Sequence, residues 1–486
     1  MKRIYITTAS LIALACTLSA HASAPGGDGD ARESRATVET TTTGGETLRS
    51  LLLDVSAKHP RILERARDLA SRLAAANYQS SRYPDPALGV AWSNYPYKKD
   101  LRLIDDQTPM TGVEISVSQA IPFPGRLGLE TQIADVDASA SRLRLAIQKN
   151  QIAREFLGAL LEARSAAETA KLARGFAERI QIIAEIANTR YAVGKGDLTD
   201  VSKAGVSYAA FRDRVRTLEG ALDSRYRALV YYLKDASDGD ADDSPEYNFA
   251  SPIPGRVASL VAPAVEANRN ELSAYMLELG SKLRAEPMRV KHQSLRVALA
   301  ALDIDRRGKE KTLAQMQYLP DFEVFASYRK RGDVANDPAR GEDFMSFGFK
   351  MRVPLWSALG NHNNIEARDE SRKSARFSER DLAEREQQLL DAARIDYQTL
   401  NERLKIYDES LVPRGRQSVE AARLAYETGR ADFDAFLNSW ETLYSLESER
   451  IRLGVDRDKQ LLLMAFLLNS ILPDHIPRSA RSGVDQ

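Results

Sequence analysis

The sequence predicts an α+β fold with internal duplication, in which long helices alternate with pairs of strands. Landmarks of the first half return in the second half, in the same order, after 232 to 235 positions. Two pairs of segments alternate apolar and polar residues with a period of two, which is typical of strands. The proline-free run from Leu127 to Arg190 keeps the spacing of a helix. The repeated landmarks are Pro86 and Pro320, Pro122 and Pro354, and Tyr191 and Tyr426. A duplicated unit of this kind builds a symmetric object.

Composition narrows the class of protein. The chain has 486 residues with 68 Lys and Arg against 68 Asp and Glu, so its net charge is zero. A nucleic-acid partner is therefore not expected, because binding it requires a basic face. Charged residues make up 28% and aromatic residues 7% of the chain. These fractions favour long helices over the core of a globular enzyme.

The first 22 residues read as a secretion signal, with Lys2 and Arg3 before a short apolar stretch and small residues after it. We expect cleavage after Ala22 and a disordered segment at 23–44. Cys16 is the only cysteine, so the mature chain forms no disulfide. Lipidation of Cys16 is an alternative, although the residues before it match a lipidation motif poorly.

The first structural repeat is predicted at 45–233. A helical pattern from Leu48 to Ser81 is interrupted at Pro60, and two strands follow within 87–121. The helix from Leu127 to Arg190 is about 95 Å long at 1.5 Å per residue. Two further features close the repeat: Gly194 and Gly196 end this helix, and Asp197 or Thr199 caps another that reaches Leu233.

An acidic linker at 234–258 precedes the second repeat, which is predicted at 259–472. There a helix ends near Met316, two strands follow, and a long helix runs from about Ile365 to Tyr426. Pro413 is expected to kink that helix or to start a new one. A last helix ends near Leu472, and 473–486 is predicted to be a loose tail.

Each repeat supplies two strands, so one chain has four. Four strands cannot close a barrel, and an open sheet edge is not tolerated in lipid. Three chains would supply twelve strands, an even number within the range of bacterial outer-membrane barrels. In the last strand we expect Phe347, Phe349 and Met351 to face lipid. Lys350 and Arg352 alternate with them and are expected to face the lumen.

The order of elements and two motifs resemble the TolC family of outer-membrane efflux channels over residues 45–470. One motif is the turn Tyr-x-x-Gly, at Tyr191–Gly194 and again at Tyr426–Gly429. The other runs from Ser118 to Arg126, follows Pro109-Met-Thr-Gly112, and is similar to members that partner heavy-metal exporters.

The resemblance implies a homotrimer in the outer membrane of a Gram-negative bacterium, with a large periplasmic part. A transmembrane β-barrel, four strands per protomer and in contact with outer-membrane lipid, would continue into a long coiled-coil helical barrel. The partners implied are a periplasmic adaptor (membrane fusion) protein and an inner-membrane transporter, of the RND type. The channel would export small solutes or metal cations passively, without enzymatic activity and without a cofactor.

The resemblance also assigns candidate sites. Val193, Gly194, Thr428 and Gly429 are candidate adaptor contacts at the helical tips, and they also suit ordinary helix C-caps. Asp200 is a candidate for the periplasmic gate, where three carboxylates would favour cations. Its alternative role is a carboxylate favoured by the helix dipole. The second repeat departs from the family, because Ala435 and Asn438 occupy the usual acidic positions. Asp432 and Asp434 lie nearby as substitutes, and Lys203 dilutes the charge.

Other classes of protein find less support. His59 and His292 are expected on helix surfaces, and no second ligand lies at helical spacing from either, so no metal site is predicted. No phosphate-binding loop, nucleophile elbow or HExxH motif occurs. The main alternative is a periplasmic coiled-coil adaptor or structural interaction protein without a channel. Such an adaptor would show one helical hairpin flanked by compact β-domains.

Overall fold

The computed structural model describes residues 48–94, 111–194, 196–233, 270–284, 289–331 and 341–472. The predicted signal peptide with Cys16, the segment 23–44, the acidic linker 234–258 and the tail 473–486 lie outside these residues. The described part is mostly helical and contains one four-stranded sheet.

The first half contains four helices and two strands, and the predicted interruption at Pro60 is confirmed. Pro60 is the first residue of α2, where its missing N–H costs no hydrogen bond. The long helix predicted from Leu127 to Arg190 forms as one uninterrupted helix of 67 residues. The elements are α1 (Leu48–Lys58), α2 (Pro60–Ser81), β1 (Ala87–Ser93), β2 (Gly112–Ile121), α3 (Arg126–Ala192) and α4 (Leu198–Leu233).

The second half shows the same succession of helix, two strands and helical hairpin. The elements are α5 (270–284), α6 (Val290–Gln293), α7 (Leu295–Met316), β3 (Asp321–Arg331), β4 (Phe344–Arg352), α8 (Leu355–Ile406), α9 (Val412–Glu427) and α10 (Phe433–Leu467). A single π-helical turn, Tyr407–Leu411, joins α8 to α9. The helix expected near Ile365 thus begins ten residues earlier, and the interruption expected at Pro413 is the π-helical turn just before it.

The sheet has the order β1-β2-β3-β4, with every neighbouring pair antiparallel. The register separates its side chains into two faces, because successive residues of a strand point to opposite sides. One face is apolar and exposed in the single chain. It carries Leu88, Val90, Trp92, Val113, Ile115, Val117, Val324, Tyr328, Phe347, Phe349 and Met351.

The opposite face is polar and internally paired. Arg329 on β3 donates to Glu114 on β2 at 2.8 Å, and Lys350 on β4 donates to Glu323 at 3.5 Å. Phe325 breaks the alternation of β3, and Gly348 opposite it gives the reason. A Cβ on Gly348 would lie 2.4 Å from Cζ of Phe325, so the ring lies over the glycine.

A charged clamp fixes the point where β2 leads into α3. The guanidinium of Arg126 donates to both carboxylate oxygens of Asp321 at 2.7 and 2.8 Å, and also to the carbonyl of Met316 at 3.0 Å. The backbone N–H of Phe123 donates to the same carboxylate at 3.1 Å. The clamp therefore joins the start of α3 to the junction of α7 and β3 in the other half.

The helices pack around two apolar clusters. α3 packs against α4 and α10, and α10 packs in turn against α9. One cluster surrounds Leu157 and Leu461, and the other surrounds Phe176 and Tyr444 nearer the hairpin turns. No helix in the described ranges has an apolar stretch long enough to cross a bilayer.

Candidate site at the hairpin turns

The first hairpin turn follows α3 directly. Its backbone closes through the N–H of Gly194, which donates to the carbonyl of Tyr191 at 3.0 Å, and Gly194 has φ of +70°. No heavy atom lies within 4 Å of a Cβ added there, so conformation and not crowding favours glycine. Val193 is 64% exposed at the end of the turn. Of the two predicted caps of α4, Asp197 is the one observed: its Oδ1 accepts from the N–H of Thr199 at 3.1 Å.

The second turn repeats this geometry after α9. Gly429 also has φ of +70°, and its N–H donates to the carbonyl of Tyr426 at 3.1 Å. The N–H of Arg430 donates to the carbonyl of Ala425 at 2.8 Å, which completes a Schellman motif. Thr428 is exposed and donates its hydroxyl to the carbonyl of Leu424 at 2.8 Å. The structural role weighed for the two glycines, capping of a helix end, is therefore present.

Two contacts fasten the turns to each other. The guanidinium of Arg190, near the end of α3, donates to the carbonyl of Tyr426 at 2.8 Å and lies 4.7 Å from the centre of that ring. Lys203 on α4 forms an ion pair with Asp434 on α10, with 2.5 Å between Nζ and Oδ2. The two hairpins of one chain thus meet side by side at their ends.

The three acidic gate candidates lie close enough for their charges to influence one another, but each makes different contacts. Asp434 is paired with Lys203, whereas Asp432 is exposed at the start of α10 and caps nothing with its side chain. Asp200 is partly buried. Burial first, and then the neighbouring charges of Asp197, Asp434 and Asp432, raise its pKa, while Lys203 opposes them. Lys203 therefore partly neutralises the cluster, as its position in the sequence indicated.

An aromatic cluster packs between α3, α4 and α10 in the part of the hairpins next to the turns. It was not predicted from the sequence. Phe176 makes edge contacts with Trp440 and Tyr444, with ring centres 5.3 and 5.2 Å apart, and Phe211 meets Tyr444 at 5.3 Å. The guanidinium of Arg214 lies 5.1 Å from the centre of the Tyr444 ring. A pattern in the sequence could have predicted this cluster. Phe176 and Phe211 lie nearly the same number of residues before and after Gly194, so the two helices of the hairpin bring them together.

The expectation for His59 is wrong. This residue is buried at the junction of α1 and α2, and its Nδ1 accepts from the N–H of Arg61 at 3.3 Å. The rings of Tyr231 and Tyr232 lie 5.0 and 6.0 Å away. Burial, and then the positive charge of Arg61, lower the pKa of His59. His59 is therefore a helix cap inside the core.

The described part of the chain contains no group of three His, Cys, Asp or Glu side chains that could hold a metal ion. The pairs at the turns are ion pairs between a base and an acid.

Comparison with known proteins gives one matching family model and several solved structures with a similar fold. The family model described as outer membrane efflux protein matches residues 52–233. No curated protein sequence matches the chain. Among solved structures, the outer-membrane channel OprN is similar with a TM-score of 0.65 at 13% identity, covering 87% of this chain and 90% of that one.

Two further channels have the same fold. VceC from Vibrio cholerae, an outer membrane protein, gives a TM-score of 0.64 at 14% identity, covering 86% of this chain and 95% of its own. The CmeC outer-membrane channel of Campylobacter jejuni gives 0.64 at 11% identity, covering 97% and 98%.

The fold is thus that of outer-membrane channels, and residues 52–233 carry the pattern of the outer membrane efflux proteins. The resemblance to the TolC family, predicted from the two Tyr-x-x-Gly turns, is confirmed. The expectation that the chain is not an enzyme is confirmed with it, because the matched family is one of efflux proteins.

Proposed function

We propose that this protein is the outer-membrane channel of a tripartite efflux pump. The observation that carries the proposal is the two-faced sheet at one end of the long helices. Its apolar face is exposed over all four strands, and among the described residues no strand pairs with the outer edges of β1 and β4. A continuous exposed apolar face marks a surface that meets lipid or another protein.

The assembly that satisfies the sheet is a homotrimer. Three copies in a ring join each β4 to the β1 of the next chain, so that twelve strands close with no edge left. The apolar face then meets lipid, and the polar face with its Glu114–Arg329 and Glu323–Lys350 pairs lines the lumen. The parallel succession of elements in the two halves supports an internal duplication within each chain.

The proposed assembly also implies a cellular location and a set of partner proteins. The barrel lies in the outer membrane of a Gram-negative bacterium, and the helices extend into the periplasm. The tips at Val193, Gly194, Thr428 and Gly429 contact a periplasmic adaptor, which couples the channel to an inner-membrane transporter of the RND type. Both turns are exposed and lie side by side, which suits them to one docking surface.

The cargo is small solutes or metal cations, which move passively. The gate is assigned to Asp200, with Asp432 and Asp434 beside it. In the trimer, three Asp200 carboxylates around one axis favour cations at the mouth. Asp434 contributes less negative charge to the gate, because it forms an ion pair with Lys203.

The alternative function is a coiled-coil adaptor or structural protein without a channel. It requires one hairpin between compact β-domains. The described chain has two hairpins and one sheet shared by both halves, which favours the channel.

The proposal is tested by expression in a Gram-negative host. The protein is expected in the outer-membrane fraction, to migrate as a compact oligomer on an unboiled gel, and to dissociate on boiling. The purified oligomer is expected to give single-channel currents in a planar bilayer. Recovery in the soluble periplasmic fraction without conductance would contradict the channel.

A further inference from the structure

We propose that a groove between α3 and α7 binds amphipathic organic anions, which are solutes with an apolar body and an anionic group. This inference rests on the proposed function, because it places a solute-binding site on the wall of the channel. The groove has a volume of about 430 Å³, which is a size typical of small-molecule sites. Its two walls are α3 and α7, and Arg65 of α2 and Leu382 of α8 also line it.

Much of the lining of the groove is apolar. Val136, Ala140 and Ile147 come from α3, and Leu299 and Leu302 come from α7. The three residues of α3 recur at intervals of four and seven positions, so they lie on one face of the helix. Both leucines are only partly buried in the chain. Covering them with the apolar body of a solute is favourable, because it removes apolar surface from water.

The charged part of the lining is predominantly basic. Four arginines and two aspartates line the groove. Both aspartates already lie beside one arginine, since Arg306 is 3.8 Å from Asp137 and 3.6 Å from Asp303. Two further arginines each lie near a glutamate outside the groove.

The fourth arginine, Arg144, has no such partner. Its side chain is exposed, and no acidic residue in the described ranges forms an ion pair or hydrogen bond with its guanidinium. A guanidinium binds carboxylates and sulfonates through charge-assisted hydrogen bonds. An unpaired guanidinium beside an apolar lining therefore favours a solute that combines an apolar body with an anionic group.

The groove lies on the side of α3 that continues the polar face of the sheet. Arg126, the first residue of α3, clamps Asp321, and the strand register places Asp321 on the same face as Glu323. Arg144 follows Arg126 after 18 residues, which is five complete turns at 3.6 residues per turn. Arg126 and Arg144 thus point to the same side of the helix. In the proposed trimer, that side is the lumen.

The position of the groove decides between possible occupants. The helices next to the sheet contact one another in the order α2, α3, α7 and α8. Copies in the proposed ring meet at β1 and β4, and so beside α2 and α8, whereas the groove lies between the two central helices. Val136 is ten residues into α3, about 15 Å along the helix from the sheet and so away from the lipid. A solute moving through the lumen is the occupant that this position admits.

The test uses the purified native trimer in dodecyl maltoside and three probes. Pyrene-1-sulfonate has an apolar body and an anionic group, 1-pyrenylmethylammonium has the same body with a positive charge, and methanesulfonate has the anionic group alone. Isothermal titration calorimetry, after subtraction of titrations into detergent alone, is expected to give three pyrenesulfonate sites per trimer. Pyrenesulfonate should bind at least about tenfold more tightly than either other probe, since close charge pairs commonly contribute this much.

Variants separate the charged and apolar parts of the groove. Arg144→Glu is expected to weaken pyrenesulfonate at least about tenfold and to reverse the preference between the two pyrene probes. Leu299→Ser is expected to weaken both pyrene probes by about tenfold, because it removes apolar lining. Arg142→Glu is the matched control, because Arg142 is also exposed on α3 but does not line the groove. It should bind as the native trimer does. Each variant is compared only after it migrates as a trimer on an unboiled gel.

A second measurement checks that the groove faces the lumen. Cys16, in the predicted signal peptide, is the only cysteine, so Arg144→Cys and Arg142→Cys each provide a single site for a spin label. Pulsed dipolar spectroscopy of the trimers is expected to give a shorter distance between labels at position 144 than at position 142. An equal or longer distance at position 144 would overturn the luminal placement.

Absence of pyrenesulfonate binding, equal binding of the two pyrene probes, or equal effects of Arg144→Glu and Arg142→Glu would overturn the proposed site. Single-channel conductance of the native trimer keeps these outcomes distinct from failure of the proposed function. A trimer that conducts but binds no pyrenesulfonate is a channel without this site, whereas a trimer that does not conduct contradicts the channel itself.

Discussion

Asp200 shows how one carboxylate at a turn can have either of two roles. It lies on the first turn of α4, where the helix dipole favours a negative charge, yet burial and three neighbouring aspartates raise its pKa. Asp200→Asn is expected to lower cation preference and to weaken block by multivalent cations in single-channel recordings, because in the proposed trimer it removes three charges from one mouth. Asp432→Asn is the control and should have a smaller effect, since its carboxylate is exposed.

The direction of this pKa shift adds a pH dependence. The carboxylate must be ionised to attract cations, so preference should be lost on acidification. Because the pKa is raised, the loss should begin at a higher pH than for an ordinary aspartate of 3.8. Reversal potentials under a salt gradient measure it. If neither selectivity nor cation block changes in Asp200→Asn, the residue is only a helix-start charge.

His59 predicts a second pH dependence, this time of stability. Its pKa is lowered in the folded protein, so between the folded pKa and the ordinary value of 6.5 the unfolded chain binds a proton that the folded chain does not. Stability from this residue is therefore present above pH 6.5 and is lost as the pH falls towards the lowered folded value.

The variant His59→Asn keeps a side-chain cap at the start of α2 and removes the titration. It should show a smaller fall in melting temperature between pH 7.5 and pH 5.5 than the native protein. An equal fall in both proteins would place the pH dependence on other groups.

At the scale of the strand, the two faces of β4 should respond oppositely to substitution. Phe349 is 60% exposed on the apolar face, and Phe349→Arg should cost roughly 2–4 kcal/mol if it lies near the bilayer midplane. Lys350→Ser, one position away on the polar face, should be tolerated, because it loses only a partly exposed pair with Glu323. Denaturant unfolding of the barrel in lipid vesicles measures both. Equal tolerance would mean that the faces of this strand are assigned wrongly.

Elements differ in how far local sequence determined them. Pro60, Gly194 and Gly429 mark their helix ends directly, because proline fixes φ at a value suited to a first helical residue and glycine tolerates the positive φ of a helix C-cap. The first ten residues of α8 could not be predicted, since they hold few strong helix formers. There a tertiary contact decides: the buried Asn361 donates to the carbonyl of Ala314 at 2.9 Å. The pairing of Phe325 with Gly348 depends on strand register, which neither local segment contains.

The same limit applies to the site. The two turns were found because they repeat along the chain, and Asp200 was assigned from the resemblance to the TolC family. The contact of Arg190 with Tyr426 and the pair of Lys203 with Asp434 were not, because each joins residues of different halves. His59 was expected on a helix surface, whereas Tyr231 and Tyr232, distant in sequence on α4, lie against its ring.

For the whole molecule, the open sheet predicts the state of assembly. Four strands leave two edges, so the folded species should be a trimer that resists detergent. Light scattering of the purified protein, corrected for bound detergent, is expected to give three chains per particle. A monomer with intact strand content would contradict the closed barrel.

The clamp of Arg126 on Asp321 has a mechanical consequence. α3 starts at this clamp and runs for 67 residues, so it is a lever of about 100 Å at 1.5 Å per residue. A tilt of only about 3° at the clamp would move the far end of such a lever by about 5 Å, which is the length of one helical turn. Small changes in the angle at which the helix leaves the sheet are therefore magnified into displacements wide enough to matter for a solute at the mouth.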